Sequence, residues 1–228
     1  MSATLFGAPL SPFVRKIRIA LAEKNLDYSL VPLDPNEKTP ELLAVNPLGR
    51  VPAYRDDRGT LADSAVIAQY LERRYPEPSL YAADDHEFAR VLWFEKYADY
   101  ELSGCCTFGV FRQRLIMPLL GQAGDSTLVD SVLAERLPRH FDYLEAELDG
   151  RPHLAADRLT MADIAVASQC CNLIHGGESV DAARWPALAE LVEGVRSRPS
   201  CAACLEQEVG VVERIRARIA RGTRVSGA

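Results

Sequence analysis

The sequence predicts a small α/β domain with a mixed sheet, followed by an all-α domain. Three observations carry this reading. Strand-like and helix-like patterns alternate through the first eighty residues. The stretch "YPEPSLYAADD" (75–85) holds two prolines and little periodicity, as a linker does. Everything after it reads as helix, with no convincing strand. At 228 residues, 48% of them apolar, the chain has enough material for one large domain or two small ones. The boundaries are expected at 1–78, a linker at 79–86, and 87–228.

The elements follow in order. "ATLFG" is a short apolar strand, and residues 12–24 carry Val14, Ile17, Ala20 and Leu21 at helical spacing, interrupted by Arg15, Lys16 and Arg18. "DYSLVPL" (27–33) alternates as a second strand. Thr39-Pro40 starts a short helix that ends before Asn46-Pro47, because a residue preceding proline avoids the α region. "VPAYRD" and "GTLAD" form a hairpin about "DDRG". Val66, Ile67, Tyr70 and Leu71 then mark a helix over 64–75. In the second half, helices are expected over 86–119 (one or two), 127–148, 161–174, 187–197 and about 205–220. "LTMADIAVA" combines a capping box (Thr160, Asp163) with a hydrophobic staple (Leu159, Ile164), a folding signal without chemistry.

Composition excludes several function classes. A formal charge of −6 disfavours a nucleic-acid binder, and the basic tail (Arg214, Arg216, Arg218, Arg221, Arg224) reads as a helix end whose cations complement the macrodipole. No apolar run is long enough to span a membrane. The N-terminus lacks a basic region and cleavage site, so a cytoplasmic location is expected. Six cysteines fall as Cys105-Cys106, Cys170-Cys171 and Cys201-Ala-Ala-Cys204, a pattern of buried reduced thiols rather than a disulfide framework. A lone Cys pair supplies half a zinc site, and no metal is expected. The four histidines (His86, His140, His153, His175) all lie beyond the first domain, which leaves no convincing Ser–His–Asp arrangement there.

Three stretches of the first domain stand out: Ser11-Pro12 after the first strand, "NPLGRVPAY" with Val51-Pro52 at a strand's start, and Asp63-Ser64 heading the third helix. Singly, each is ordinary punctuation, a helix cap or a strand-opening proline. Together, with "SPFVRKIRIAL", "EKTPELLAVNPLGRVPAY", "LADSAVIAQYL" and "LTMADIAVA", they resemble the cytosolic glutathione transferases of serine type, with a bacterial-like or phi/tau/zeta-like first motif. The resemblance spans nearly the whole chain. It implies a thioredoxin-like N-terminal domain with a four-stranded mixed sheet, an all-helical C-terminal domain, and a homodimer that pairs one subunit's α/β domain with the other's helical domain. It also implies glutathione as co-substrate and a small hydrophobic electrophile as second substrate.

On that resemblance, Asp63 faces the ligand ammonium and Ser64, with the helix start, holds the γ-glutamyl carboxylate. Val51, set by Pro52 (a cis-proline in the family), pairs its main chain with the cysteinyl unit as an added strand. Lys38 and Arg50 lie near the glycyl carboxylate. Two positions depart: Glu37 stands where some serine-type members have histidine, and Asp63 stands where glutamate is common. Ser11 is left for the thiol. A free thiol titrates near about 8.5, and a helix N-terminus contributes only ~0.3–1 kcal/mol to its ionisation. A hydroxyl donating to the charged sulfur adds ~1.5–3 kcal/mol, roughly one to two pKa units. Ser11 is therefore expected to act as a donor, not a nucleophile, and its capping and donor roles are expected to compete for one hydroxyl. The electrophile is expected between the domains, near Leu10, Phe13, Phe108, Phe111 and Arg112. A glutathione-dependent reductase is disfavoured because no cysteine precedes Cys105. Peroxidase or isomerase chemistry, or a non-catalytic binding module of this fold, stay open.

Overall fold

The computed structural model describes residues 3–225, with side chains as far as Arg221; Arg224 of the basic tail lies outside the described side chains. The first half contains β1 (Ala3–Phe6), α1 (Pro12–Glu23), β2 (Tyr28–Val31), α2 (Pro40–Val45), β3 (Ala53–Asp56), β4 (Gly59–Ala62) and α3 (Ser64–Arg74). The strands form one mixed sheet in the order β2-β1-β3-β4, with β1 parallel to β2 and β3 antiparallel to both its neighbours. This is the expected sheet. The hairpin turns on Asp57-Arg58, where the Arg58 amide donates to Asp56 Oδ1 at 2.8 Å. Successive strand residues face opposite sides. Leu5 and Tyr54 pack with α1 and α3 through Val14, Ile17, Ile67 and Leu71, whereas Phe6 and Ala53 pack with α2 through Leu42 and Val45.

After β4 every described element is helical. α4 (Asp85–Tyr97) runs on without a break through a wider, π-type coil (Ala98–Ile116) into α5 (Met117–Leu119). α6 (Ser126–Ser131) continues by a π-type turn (Val132–Arg136) into α7 (Leu137–Leu148), and α8 (Met161–His175), α9 (Pro186–Ser197) and α10 (Pro199–Val225) follow. α10 starts earlier than the expected 205, because Pro199 suits a helix's first position and Cys201-Ala-Ala-Cys204 holds no breaker. That spacing places both cysteines on one buried face, and all six cysteines are free and buried, as the sequence suggests. Among the described residues, no helix is long and apolar enough to cross a membrane.

The helical domain covers α1. Arg15, Lys16 and Arg18, which interrupt the apolar pattern, are 0%, 1% and 4% exposed. Each is buried because it meets a partner from the second half of the chain. Arg15 donates through Nε to Glu208 Oε1 (2.8 Å), through Nη1 to the Ser168 carbonyl (2.6 Å) and through Nη2 to Asn172 Oδ1 (3.0 Å). Lys16 reaches Glu95 (2.9 Å) and Asp99 (2.7 Å), and Tyr81 donates to the other Glu95 oxygen (2.8 Å). Arg18 donates to Tyr28 and Gln207. Burial disfavours the Lys16 charge, yet Glu95 and Asp99 together hold its pKa above the ordinary value. The Asp99 carboxyl moves up as well, since burial outweighs its share of the single ammonium.

The start of α8 is fixed as the capping motif implies. Asp163 is fully buried and accepts from the Thr160 amide (2.8 Å), the Thr160 hydroxyl (3.1 Å) and the Leu154 amide (3.0 Å). Asp163→Ala would strand these buried donors, so we expect a loss of about 2–4 kcal/mol in urea unfolding. A loss no greater than that of a surface substitution would refute the assignment.

Candidate functional site

Register gathers the three motifs at one end of the sheet. Phe6 at the C-terminal end of β1 is paired with Val31, the last residue of β2, and with Ala53, the first of β3. Ala53 in turn faces Ala62, the last of β4. The segments carrying Ser11, Lys38, Arg50 to Pro52, and Asp63-Ser64 therefore all leave or enter the sheet at this end.

The Ser11 loop approaches its own helix closely: a Cβ at Gly7 would lie 2.3 Å from Val14 Cγ2, so only glycine fits. Ser11 is the N-cap of α1, with extended backbone (φ −72°, ψ 124°), and its Oγ accepts from the Val14 amide at 3.4 Å. That distance exceeds the usual range for such bonds, so the cap is weak. The cap also uses a lone pair and leaves the hydroxyl proton free to donate. The expected competition between the two roles is thereby removed.

The loop before β3 is organised by Asn46, a residue whose sequence context marks only the end of α2. Asn46 is 4% exposed; its Oδ1 accepts from the Leu48 amide (3.0 Å), its Nδ2 donates to the Arg50 carbonyl (2.8 Å), and its own carbonyl accepts from Gly49 (2.9 Å). The available signal was the Asn-Pro pair, since asparagine commonly bonds its own backbone two residues on. The Val51-Pro52 peptide is cis, and the Val51 main chain, outside the ladder, makes no hydrogen bond among the described residues. The Lys38 stem lies across Gly49, where a Cβ would meet its Cδ at 3.2 Å. Lys38 and Arg50 are exposed, and neither forms an ion pair among the described residues.

Asp63 caps α3 with Oδ1, accepting from the Ala65 (2.9 Å) and Val66 (3.2 Å) amides. Its backbone lies at φ +78°, ψ 128°, a positive φ that few residues with a side chain adopt. The cap narrows the expected set of open amides: those of Ala65 and Val66 are used, and what remains at the helix start is the Ser64 amide and hydroxyl, with Ser64 itself 4% exposed.

Of the residues expected near an electrophile, Leu10 and Phe111 meet in one buried cluster with Leu115, Val212 and Ile215. The last two come from α10, a helix the sequence predicts without showing which wall it covers, because nothing local encodes that. Phe13 and Phe108 lie outside this cluster, and Phe108 is 48% exposed. Arg112 donates to Asn36 Oδ1 at 3.1 Å, linking the helical half to the loop that carries Lys38.

Comparison with known proteins agrees with this layout. The family profile "Glutathione S-transferase, N-terminal domain" matches residues 5–79, and "Glutathione S-transferase, C-terminal domain" matches residues 115–208. Glutathione S-transferase 3 of Zea mays is 35% identical over 164 residues, covering 70% of this chain and 72% of that protein. The chain belongs to the glutathione S-transferase family. The first profile takes in the Ser11, Pro52 and Ser64 loops of this family member, and the second takes in Phe111 to Ile116 only in part and closes at Glu208. A solved glutathione S-transferase from Rhodospirillum rubrum superposes with a TM-score of 0.82 at 34% identity, covering 89% of this chain and 91% of that one. The relatives also include FtsZ-localized protein A of Caulobacter vibrioides, 29% identical over 183 residues and covering 77% of this chain and 78% of that protein.

Proposed function

We propose that this family member is a glutathione transferase in which the Ser11 hydroxyl donates to the sulfur of glutathione and holds it as the thiolate. The observation that carries the reading is the set of groups at one end of the sheet that have no partner among the described residues. The Ser11 proton, the Val51 main chain, the Ser64 amide and hydroxyl, and the Lys38 and Arg50 cations match a peptide with a thiol, a backbone and two carboxylates. Asp63 keeps one oxygen outside its cap for the ligand ammonium. The thiolate then attacks an electrophilic carbon, forming the C–S bond as the leaving group departs with the bonding pair. The apolar Leu10–Phe111 cluster beside the Ser11 loop supports a hydrophobic electrophile.

Asp63→Asn tests the ligand side alone. Asparagine tolerates the positive φ and still offers an oxygen for the cap, but removes the charge. Glutathione binding should weaken roughly tenfold or more, while unfolding stability changes by less than about 0.5 kcal/mol. Unchanged binding by calorimetry would remove Asp63 from the site. Retention on glutathione-agarose separates the transferase from a binding protein of the same fold; failure of the folded chain to bind would sink the enzyme reading. We further propose a homodimer, supported by Leu48 (65%), Val66 (49%), Trp93 (54%) and Tyr100 (68%), large apolar or aromatic side chains left exposed on the single chain. Sedimentation showing only monomer would refute it.

A further inference from the structure

The opposite end of the sheet, at Ala3 and Asp56 rather than Phe6 and Ala53, carries a second concavity. Asp27, Tyr54, Asp56, Asp57, Arg74 and Tyr75 line a cavity of about 330 Å³, within the size range of small-ligand sites. Its three carboxylates outnumber its one guanidinium.

Several of these groups are already hydrogen-bonded to one another. Arg74 donates to the Tyr75 hydroxyl (2.9 Å), the Tyr70 hydroxyl (3.0 Å) and Asp57 Oδ1 (2.7 Å). Asp56 accepts from the Arg58 amide (2.8 Å) and the Tyr70 hydroxyl (2.6 Å). Asp27 forms no hydrogen bond or ion pair among the described residues, and the second oxygen of Asp57 is likewise unused. The Tyr54 hydroxyl also has no partner among the described residues, although Tyr54 is 2% exposed and its ring is packed on Tyr70. Burial, reinforced by Asp56, pushes this phenol up to about 12, so it stays neutral and able to accept. The ring is packed away while its hydroxyl stays open at the cavity wall, and a wall with surplus negative charge disfavours an anion. Among the described residues no group of three or more His, Cys, Asp or Glu side chains is arranged to hold a metal ion.

We propose that this cavity binds a small organic cation, an alkylammonium or alkylguanidinium, whose N–H groups donate to Asp27, Asp57 and the Tyr54 hydroxyl. The aromatic walls accommodate the alkyl part, and the site is separated from Ser11 by the length of β1.

The test uses butylguanidinium and its uncharged isostere butylurea on the full chain, by calorimetry and thermal melting at low salt. Butylguanidinium should bind saturably and raise the melting temperature, and butylurea should do neither. Tyr54→Phe, which removes only the hydroxyl, and Asp27→Asn, at an exposed position, should each weaken binding about tenfold. The proposal is overturned if the folded wild-type chain shows no saturable binding, if butylurea binds equally, or if both substitutions leave the affinity unchanged.

Discussion

Ser11→Ala should lower turnover about ten- to a hundredfold and raise the pKa of bound glutathione by roughly one to two units, as loss of a hydroxyl donor to a charged sulfur requires. Activity should recover partly as pH rises, because more thiolate then forms without help. The geometry makes the stability effect small. The cap bond from the Val14 amide is 3.4 Å long, so its loss should fall near the lower end, ~0.5 kcal/mol, of measured cap deletions. Thiolate absorbance against pH, turnover and urea unfolding on one variant separate the roles. Unchanged turnover combined with a stability loss near ~2 kcal/mol would make Ser11 a cap and nothing more.

Glu208→Gln should be the most destabilising of the substitutions considered, by about 3–5 kcal/mol, because it leaves the Arg15 guanidinium buried without its counter-charge. Both side chains are fully buried, and Glu208 also meets His175 Nε2 at 2.8 Å. Burial alone would raise the Glu208 pKa, but Arg15 and then His175 hold it below the usual carboxylate range. A carboxyl with a depressed folded pKa contributes stability that is complete above its unfolded value, about 4.3, and disappears as pH falls through the folded one. The wild-type chain should therefore lose stability across that acid window, and the variant's stability should depend on pH less steeply there. Replacing both partners, Arg15→Met with Glu208→Leu, should recover much of the loss, since no unpaired charge remains. If Glu208→Gln unfolds within about 1 kcal/mol of wild type, the pair does not anchor α1 to α10. Arg15 lies one helical turn beyond Ser11, so this pair anchors the helix that Ser11 caps.

Much of the fold was readable because its signals are local. Apolar periodicity located α1 and α3, the alternating runs located β2 and the hairpin, and Thr39-Pro40 and Thr160 with Asp163 marked helix starts. Ser11, Val51-Pro52 and Asp63-Ser64 were legible as a set, since each is also turn or cap chemistry at a fixed place in the chain. Asn46 was less visible because its function is to bond the loop around it, and the sequence shows only that a helix stops there. Val212 and Ile215 were not legible as site neighbours of Leu10, because contact between residues so far apart depends on how α10 is laid down.

The sequence by itself determined the order of elements and the family motifs, since short-range periodicity and turn chemistry are written in neighbouring residues. Only the tertiary structure decided that Arg15, Lys16 and Arg18 are interior. A cation within an amphipathic helix belongs in water until another part of the chain supplies an acid and a roof. Here Glu208, Glu95 and Asp99 supply the acids for Arg15 and Lys16, Gln207 and Tyr28 supply polar partners for Arg18, and the packing of the helical domain over α1 turns a charged stripe into a buried joint.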